Sequence, residues 1–280
     1  MSPQSHSSTA SPLESRYLLA QSIAMHAGMM ALDMFRRREQ LVVELKGLQD
    51  MVSAADRDVE KYIKERVHAI FPADDFLGEE GGADLDDADY IWVVDPVDGT
   101  ACFVNGMYSW CISIAVLHRG VPVIGVVFDP NANELFHARL GGGAFCGAKP
   151  MRVHPGETLK DGVLGVGTSF RVGIEDFIPF IESVLRDGGM FIRNGSGALM
   201  ITYVAAGRLI GYYEPHMNSW DALAGLVLVS EAGGMGNAFM DNNGLMRGNP
   251  LLVANPVVWQ RLAVLAGILT PEDKKQAVAL

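Results

Sequence analysis

Hydrophobic and polar positions recur along this chain with two periods, and the change of period divides it. Ser11-Pro12-Leu13-Glu14 opens a helical stretch, with Ser as a cap, Pro in the first turn and Glu three residues after Ser. That start predicts a helix to about Glu39. Val59, Ile63, Val67 and Ile70 recur at i, i+4, i+8 and i+11 and predict a second helix over 56–70, with all four on one face and Pro72 ending it. Shorter apolar runs follow. Phe76-Leu77-Gly78 reads as a short strand, 90–94 as a buried strand, and 109–117, 121–128 and 134–139 as further strands. Arg119-Gly120 and residues 130–133 look like hairpin connections, and Gly141-Gly142-Gly143 a tight turn. Together these predict an antiparallel sheet flanked by the first two helices.

Past about residue 155 strand and helix alternate. Strand-like 163–166 precedes helix-like 174–186, helix-like 198–206 precedes strand-like 209–213, and helix-like 220–231 precedes Gly233-Gly234 and strand-like 251–254. This rhythm predicts helices covering a second sheet. The chain therefore divides into a Ser-rich disordered tail (1–10), an α+β half (11–154) and an α/β half (155–280).

The buried run at 90–94 stops at Asp95-Pro96-Val97-Asp98-Gly99-Thr100. A strand interior has no use for two acids, so Asp95 and Asp98 belong at its end. Pro96 stiffens the corner and Gly99 permits a tight bend. Oxygens with free amides just beyond them suit a hard cation beside a phosphate. Residues 74–98 hold ten acids and no Lys or Arg. Asp84 to Asp89 read as a solvated loop, whereas Glu79, Asp95 and Asp98 can converge at neighbouring strand ends. Carboxylates that close take up protons or a divalent cation. Glu79, Asp95 and the Val97 carbonyl suit one Mg²⁺, and Asp95 with Asp98 a second.

Ser219 reads as a helix cap, with Asp221 either complementing the helix dipole or joining the acids as a fourth carboxylate. Gly195-Ser196-Gly197 precedes a helix and is either a plain loop or a close-approach site for a ligand. Glu214, after the strand 209–213, is either a solvated acid or an acceptor for hydroxyls. The seven histidines show no ligand spacing, and there is no G-x-S-x-G or Walker-type sequence, which argues against a serine hydrolase or a P-loop enzyme.

Composition narrows the partners. A net charge of −11 over 280 residues, with no basic tract beyond Arg36-Arg37-Arg38, argues against a nucleic-acid surface. Three scattered cysteines (Cys102, Cys111 and Cys146) make no disulfide framework or zinc site and fit a reducing, cytoplasmic setting. No apolar run is expected to reach transmembrane length, and the N-terminus lacks a leader pattern.

Taken in order, these motifs resemble the inositol monophosphatase family of Mg²⁺-dependent, Li⁺-sensitive phosphatases, over roughly residues 13–265. The resemblance rests on Gly78-Glu79-Glu80, on residues 92–100, and on Trp220-Asp221-Ala222 followed by Glu231-Ala232-Gly233-Gly234. Lys46, Asp50, Ser53 and Asp56 match the family's upstream element. It implies an α/β (α+β) fold, a layered αβαβα sandwich of the inositol monophosphatase and fructose-1,6-bisphosphatase type, with the site between the halves. It implies Glu79, Asp95, Val97 (by its carbonyl), Asp98 and Asp221 as ligands to two or three Mg²⁺ ions. Thr100 with Asp56, and Glu79, would prepare the nucleophile. Gly99 and Thr100 would hold the phosphate, Gly195, Ser196, Gly197, Glu214 and Asp221 would face the alcohol, and Asp98 would also bind the substrate. It implies a homodimer.

The sequence departs from the family at Ala101-Cys102, where Thr-Asn-Phe is usual. Inositol 1-phosphate is the first-choice substrate, with histidinol phosphate, fructose 1,6-bisphosphate and 3′-phosphonucleotides as alternatives. A binding role in the transcription machinery, through RNA polymerase or its elongation factors, is a reading of a different class, and a structural cation site a third.

Overall fold

The computed structural model describes residues 11–40, 43–47, 50–168 and 171–269, with backbone alone over 40–53. The tail expected at 1–10 and the side chains of Lys46, Asp50 and Ser53 lie outside the described residues.

Helix α1 (Pro12–Arg36) leads to the hairpin β1 (Val43–Gly47) and β2 (Asp50–Ser53), then α2 (Ala54–Ile70), β3 (Asp75–Gly78), β4 (Gly82–Asp84) and β5 (Tyr90–Asp98). Short α3 (Thr100–Val104) precedes β6 (Cys111–His118), β7 (Val121–Asp129), β8 (Glu134–Arg139), β9 (Gly143–Cys146) and β10 (Lys149–Pro150). The second half runs β11 (Val163–Val166), α4 (Ile174–Arg186), β12 (Met190–Ile192), α5 (Gly197–Ala205), β13 (Gly211–Met217) and α6 (Ser219–Glu231). It closes with β14 (Met235–Gly236), α7 (Gly244–Arg247), β15 (Asn249–Ala254) and α8 (Pro256–Leu265).

Eight strands form one sheet in the order β10-β9-β8-β7-β6-β5-β3-β4, antiparallel apart from the β3–β5 pair. Five form a second, in the order β12-β11-β13-β15-β14. The period-two alternation of the strands assigns their faces. Trp92 and Val94 of β5 pack with Ala24, Ala31, Val59 and Ile63 of α1 and α2, whereas Val93 faces the other way, in the cluster holding Leu199 of α5 and Leu223 of α6. That middle cluster also holds Tyr212 and Val253 of the second sheet. Tyr213 and Leu252, on its far face, pack with Phe180 of α4 and Leu262 of α8. The layers thus run helix, sheet, helix, sheet, helix, as expected. The central helices come from the later half in sequence yet pack on both sheets.

Four expectations need correction. Ile70 is 56% exposed, because it is the last residue of α2, one turn beyond Val67. Asn218, not Ser219, caps α6; the Ser219 hydroxyl donates instead to the Leu245 carbonyl at 2.6 Å. Strand β13 starts at Gly211 and runs on through Met217, so Glu214 lies within it. Finally, α1 does have the length and composition of a spanning helix, 25 residues with mean hydropathy 1.2 in its apolar window. Its Ala20, Ile23, Ala24, Ala27 and Ala31 are nevertheless buried in the core facing the first sheet.

Among the described acids of 74–98, several have structural posts. The buried Asp74 carboxylate accepts from Arg16 Nε at 2.7 Å, Arg16 Nη2 at 2.6 Å and Trp92 Nε1 at 2.8 Å. The Arg16 guanidinium lies between the Phe71 and Tyr90 rings, 4.1 and 3.7 Å from their centroids. Asp75 accepts from the amides of Asp86 and Ala88, and Asp89 pairs with Arg119 at the surface.

Candidate active site

Strand β5 carries the first two acids through an irregularity. Asp95 lies opposite Ser113 and Asp98 opposite Cys111, so three steps on β5 face two on β6. One extra residue is a β-bulge, placed where Pro96 has no N–H to give the ladder. The bulge turns both carboxylates toward one cleft, and the Val97 amide donates to Asp95 Oδ1 at 2.9 Å. Gly99 then turns the chain with φ of 97°, where a Cβ would sit 2.6 Å from the Ser109 carbonyl oxygen. Only glycine fits there, and α3 starts at the next residue.

Asp221 is the third residue of α6, in its first turn, where its carboxylate also accepts from the Asn218 amide at 3.1 Å. Asp221 therefore does both: in the first turn of α6 its charge complements the helix dipole, and it meets the other acids. One carboxylate oxygen from each of Asp95, Asp98 and Asp221 lies within 4.8 Å of the others. Glu79 follows β3, its amide donating to the Val94 carbonyl at 3.2 Å, and lines the same cleft. The Glu60 carboxylate steadies that loop by accepting from the Glu80 and Gly81 amides at 2.8 and 2.6 Å. Thr100 Oγ1 lies 2.9 Å from Oδ1 of fully buried Asp56 and 3.1 Å from the Val97 carbonyl oxygen.

The cleft has a volume of about 220 Å³, with walls from both sheets and from α5. Gly195, Ser196, Gly197 and Glu214 all line it. The Ser196 hydroxyl turns inward to Asp98, however, and Ser196 is 1% exposed. Tyr212 donates to Glu214 Oε2 at 2.5 Å, and this pair passes so close to the residue after β11 that a Cβ on Gly167 would lie 2.1 Å from Oε2.

Electrostatics follow from crowding acids out of water. Burial, then the charges of Glu79, Asp98 and Asp221, hold the Asp95 carboxyl well above the usual carboxylate range. Burial likewise raises Asp98, against the donors from Ser196, Ala198, Gly197 and Cys111. Burial, then the Asp98 charge, pushes Asp221 up to about 7. Glu214 is also pushed up to about 7, by burial first, with the Tyr212 hydrogen bond opposing. Arg193 is the one basic side chain among the described residues lining the cleft. An oxygen-only donor set that takes up protons for want of positive charge fits a hard divalent cation.

Sequence reading missed Arg193 and Tyr212. Arg193 stands two residues before the glycine loop and Tyr212 two before Glu214, on the same strand face, which is the signal that was available. Cys102 is buried behind the loop, its thiol 3.4 Å from the Asn194 carbonyl oxygen.

The family model described as the inositol monophosphatase family matches residues 13–269. An inositol-1-monophosphatase of Mesorhizobium japonicum is 37% identical over 238 residues, 82% of this chain and 90% of that protein. A Nus factor SuhB of Pasteurella multocida is 36% identical over 256 residues, 90% of this chain and 96% of that protein. The crystal structure of extragenic suppressor protein suhB from Bartonella henselae superposes with a TM-score of 0.85 at 31% identity, covering 90% of this chain and 98% of that one. With the layers and the acid-lined cleft described above, these likenesses show that the chain belongs to the inositol monophosphatase family and is a phosphoric monoester hydrolase.

Proposed function

We propose that this cleft hydrolyses a small sugar or polyol phosphate with Mg²⁺, inositol 1-phosphate foremost. The observation that carries the reading is the meeting of Asp95, Asp98 and Asp221 within 4.8 Å, in the cleft that Thr100 also lines. Glu79, Asp95, the Val97 carbonyl, Asp98 and Asp221 would hold two or three ions. Bound Mg²⁺ would acidify a water and offset the charge that develops on the phosphoryl oxygens.

The chain's own groups do the positioning. Thr100 has one hydroxyl hydrogen. Donated to Asp56, it leaves lone pairs on Oγ1 that accept from the attacking water, so the pair orients the water and takes its proton. Glu79 offers that water a second acceptor. The Gly99 and Thr100 amides open α3, where N–H groups have no partner within the helix, and they receive phosphate oxygens. Gly195, Gly197, Glu214 and Asp221 face the alcohol, with Glu214 accepting from a substrate hydroxyl.

The test compares kcat/KM for inositol 1-phosphate, histidinol phosphate, fructose 1,6-bisphosphate and 3′-phosphoadenosine 5′-phosphate, with Mg²⁺ and with EDTA. Inositol 1-phosphate should lead, and EDTA should abolish turnover. Unchanged turnover of Asp95→Asn at saturating Mg²⁺ would remove the ligand assignment.

The relatives named Nus factor SuhB support a second reading, contact with the transcription machinery. Capture of RNA polymerase by Asp95→Asn as well as by the wild type would establish it apart from hydrolysis. A homodimer is supported by edge strand β12, whose Met190, Phe191 and Ile192 are 65%, 39% and 46% exposed. The three free cysteines fit a reducing cytoplasm.

A further inference from the structure

The two oxygens of Asp98 have different surroundings. Oδ2 accepts from the Ser196 hydroxyl, from the Ala198 amide at 2.8 Å and, more weakly, from the Cys111 thiol at 3.8 Å. The Gly197 amide also donates to this carboxylate. All but the thiol belong to the start of α5, a nine-residue helix from the later half of the chain. A carboxylate oxygen has room for about two strong donors, so Oδ2 is filled. The helix terminus that seemed open to a ligand is already taken by an acid 98 residues earlier in sequence.

We infer that Ser196 is a positioning residue for the cation site, acting through Asp98, and not a contact to the substrate alcohol. This rests on the metal-dependent reading of the cleft. Ser196 holds Oδ2 in the α5 terminus while a carboxylate oxygen of Asp98 lies within 4.8 Å of those of Asp95 and Asp221. A carboxylate pinned from that side meets a cation with a fixed direction. Ser196 Oγ also accepts from the Leu199 amide at 3.3 Å, so one hydroxyl both caps α5 and orients a ligand. Groups that hydrogen-bond a metal-binding side chain from behind commonly change metal affinity by about 10–100-fold when removed.

The experiment uses full-length protein with Ser196→Ala and Ser196→Thr. Mn²⁺ binding is followed by electron paramagnetic resonance without substrate, KM for inositol 1-phosphate at saturating Mg²⁺, and melting temperature in EDTA. Ser196→Ala should weaken Mn²⁺ binding about tenfold or more, change KM less than about threefold, and lose nothing that Ser196→Thr does not restore. A raised KM with unchanged Mn²⁺ affinity would place Ser196 on the alcohol and overturn the inference. A lower melting temperature with unchanged Mn²⁺ affinity would make it a helix cap only, and also overturn it. If wild-type protein neither binds Mn²⁺ nor releases phosphate, the reading of the cleft itself fails, an outcome distinct from these two.

Discussion

Thr100→Val keeps the shape of the side chain and removes one hydroxyl. That hydroxyl lies 2.9 Å from Asp56 and 3.1 Å from the Val97 carbonyl, and it has one hydrogen to give. Two costs follow, and they differ in kind. The fold loses a hydrogen bond to an acid, about 1.5–3 kcal/mol, which a domain stable by about 5–15 kcal/mol survives. On the proposed mechanism the reaction loses the group that orients the water and passes its proton on, and positioned acid–base groups contribute about 10²–10⁴ in rate, or roughly 3–5 kcal/mol of barrier. Phosphate release from inositol 1-phosphate at saturating Mg²⁺ should therefore show kcat down by about 10²–10⁴ with KM within about threefold, since the proposal assigns the phosphate to backbone amides. A melting scan in the same buffer separates folding loss from catalytic loss. A kcat within about fivefold of wild type, or a change in KM alone, would refute the assignment of Thr100 and Asp56.

Two further outcomes test other parts of the structure. The Glu214 carboxyl is raised from 4.5 to about 7, mainly by burial, so the folded state holds its proton more tightly than the unfolded one. Its penalty is absent below about pH 4.5 and complete above about pH 7, a loss of roughly 3 kcal/mol across that window. Urea unfolding in EDTA should show stability falling from pH 5 to 8 by more than that amount, because the Asp95, Asp98 and Asp221 carboxyls are raised too, and Glu214→Gln should make the fall smaller by roughly 3 kcal/mol; parallel curves for the two proteins would remove the claim. Arg16→Met strands buried Asp74 without its cation and should cost about 3–5 kcal/mol in the same assay, more than Arg16→Met combined with Asp74→Asn.

The sequence made some of this visible and hid the rest for identifiable reasons. Val59, Ile63 and Val67 were legible because a helix face is local information; Ile70 obeys the same spacing but lies at the end of α2, and spacing alone does not say where the neighbouring layer stops. Asn218 and Ser219 are equally good caps locally, and the choice between them is made by the Leu245 carbonyl, 26 residues away. The short helix α3 and the two-residue strands β10 and β14 carry too few residues for any period to register. At the site, Asp95 and Asp98 stood out because acids are conspicuous at the end of an apolar run. Ser196 was legible as part of a helix start, but not as the partner of Asp98, because that bond joins two segments whose proximity only the packed sheets create.

The central helix pair has a consequence for biosynthesis. Strands β3 to β10 are complete by Pro150, yet the side chains that cover their inner face, Leu199 on α5 and Leu223 and Leu228 on α6, are translated only later. During that interval Leu77, Val93, Val127 and Phe136 have no partner from α5 or α6. A half-made chain therefore presents a sticky apolar surface, of the kind that holding chaperones bind. Release of the nascent chain from such a holder should coincide with emergence of α6 from the ribosome, when one pair of helices seals the first sheet and seeds the second.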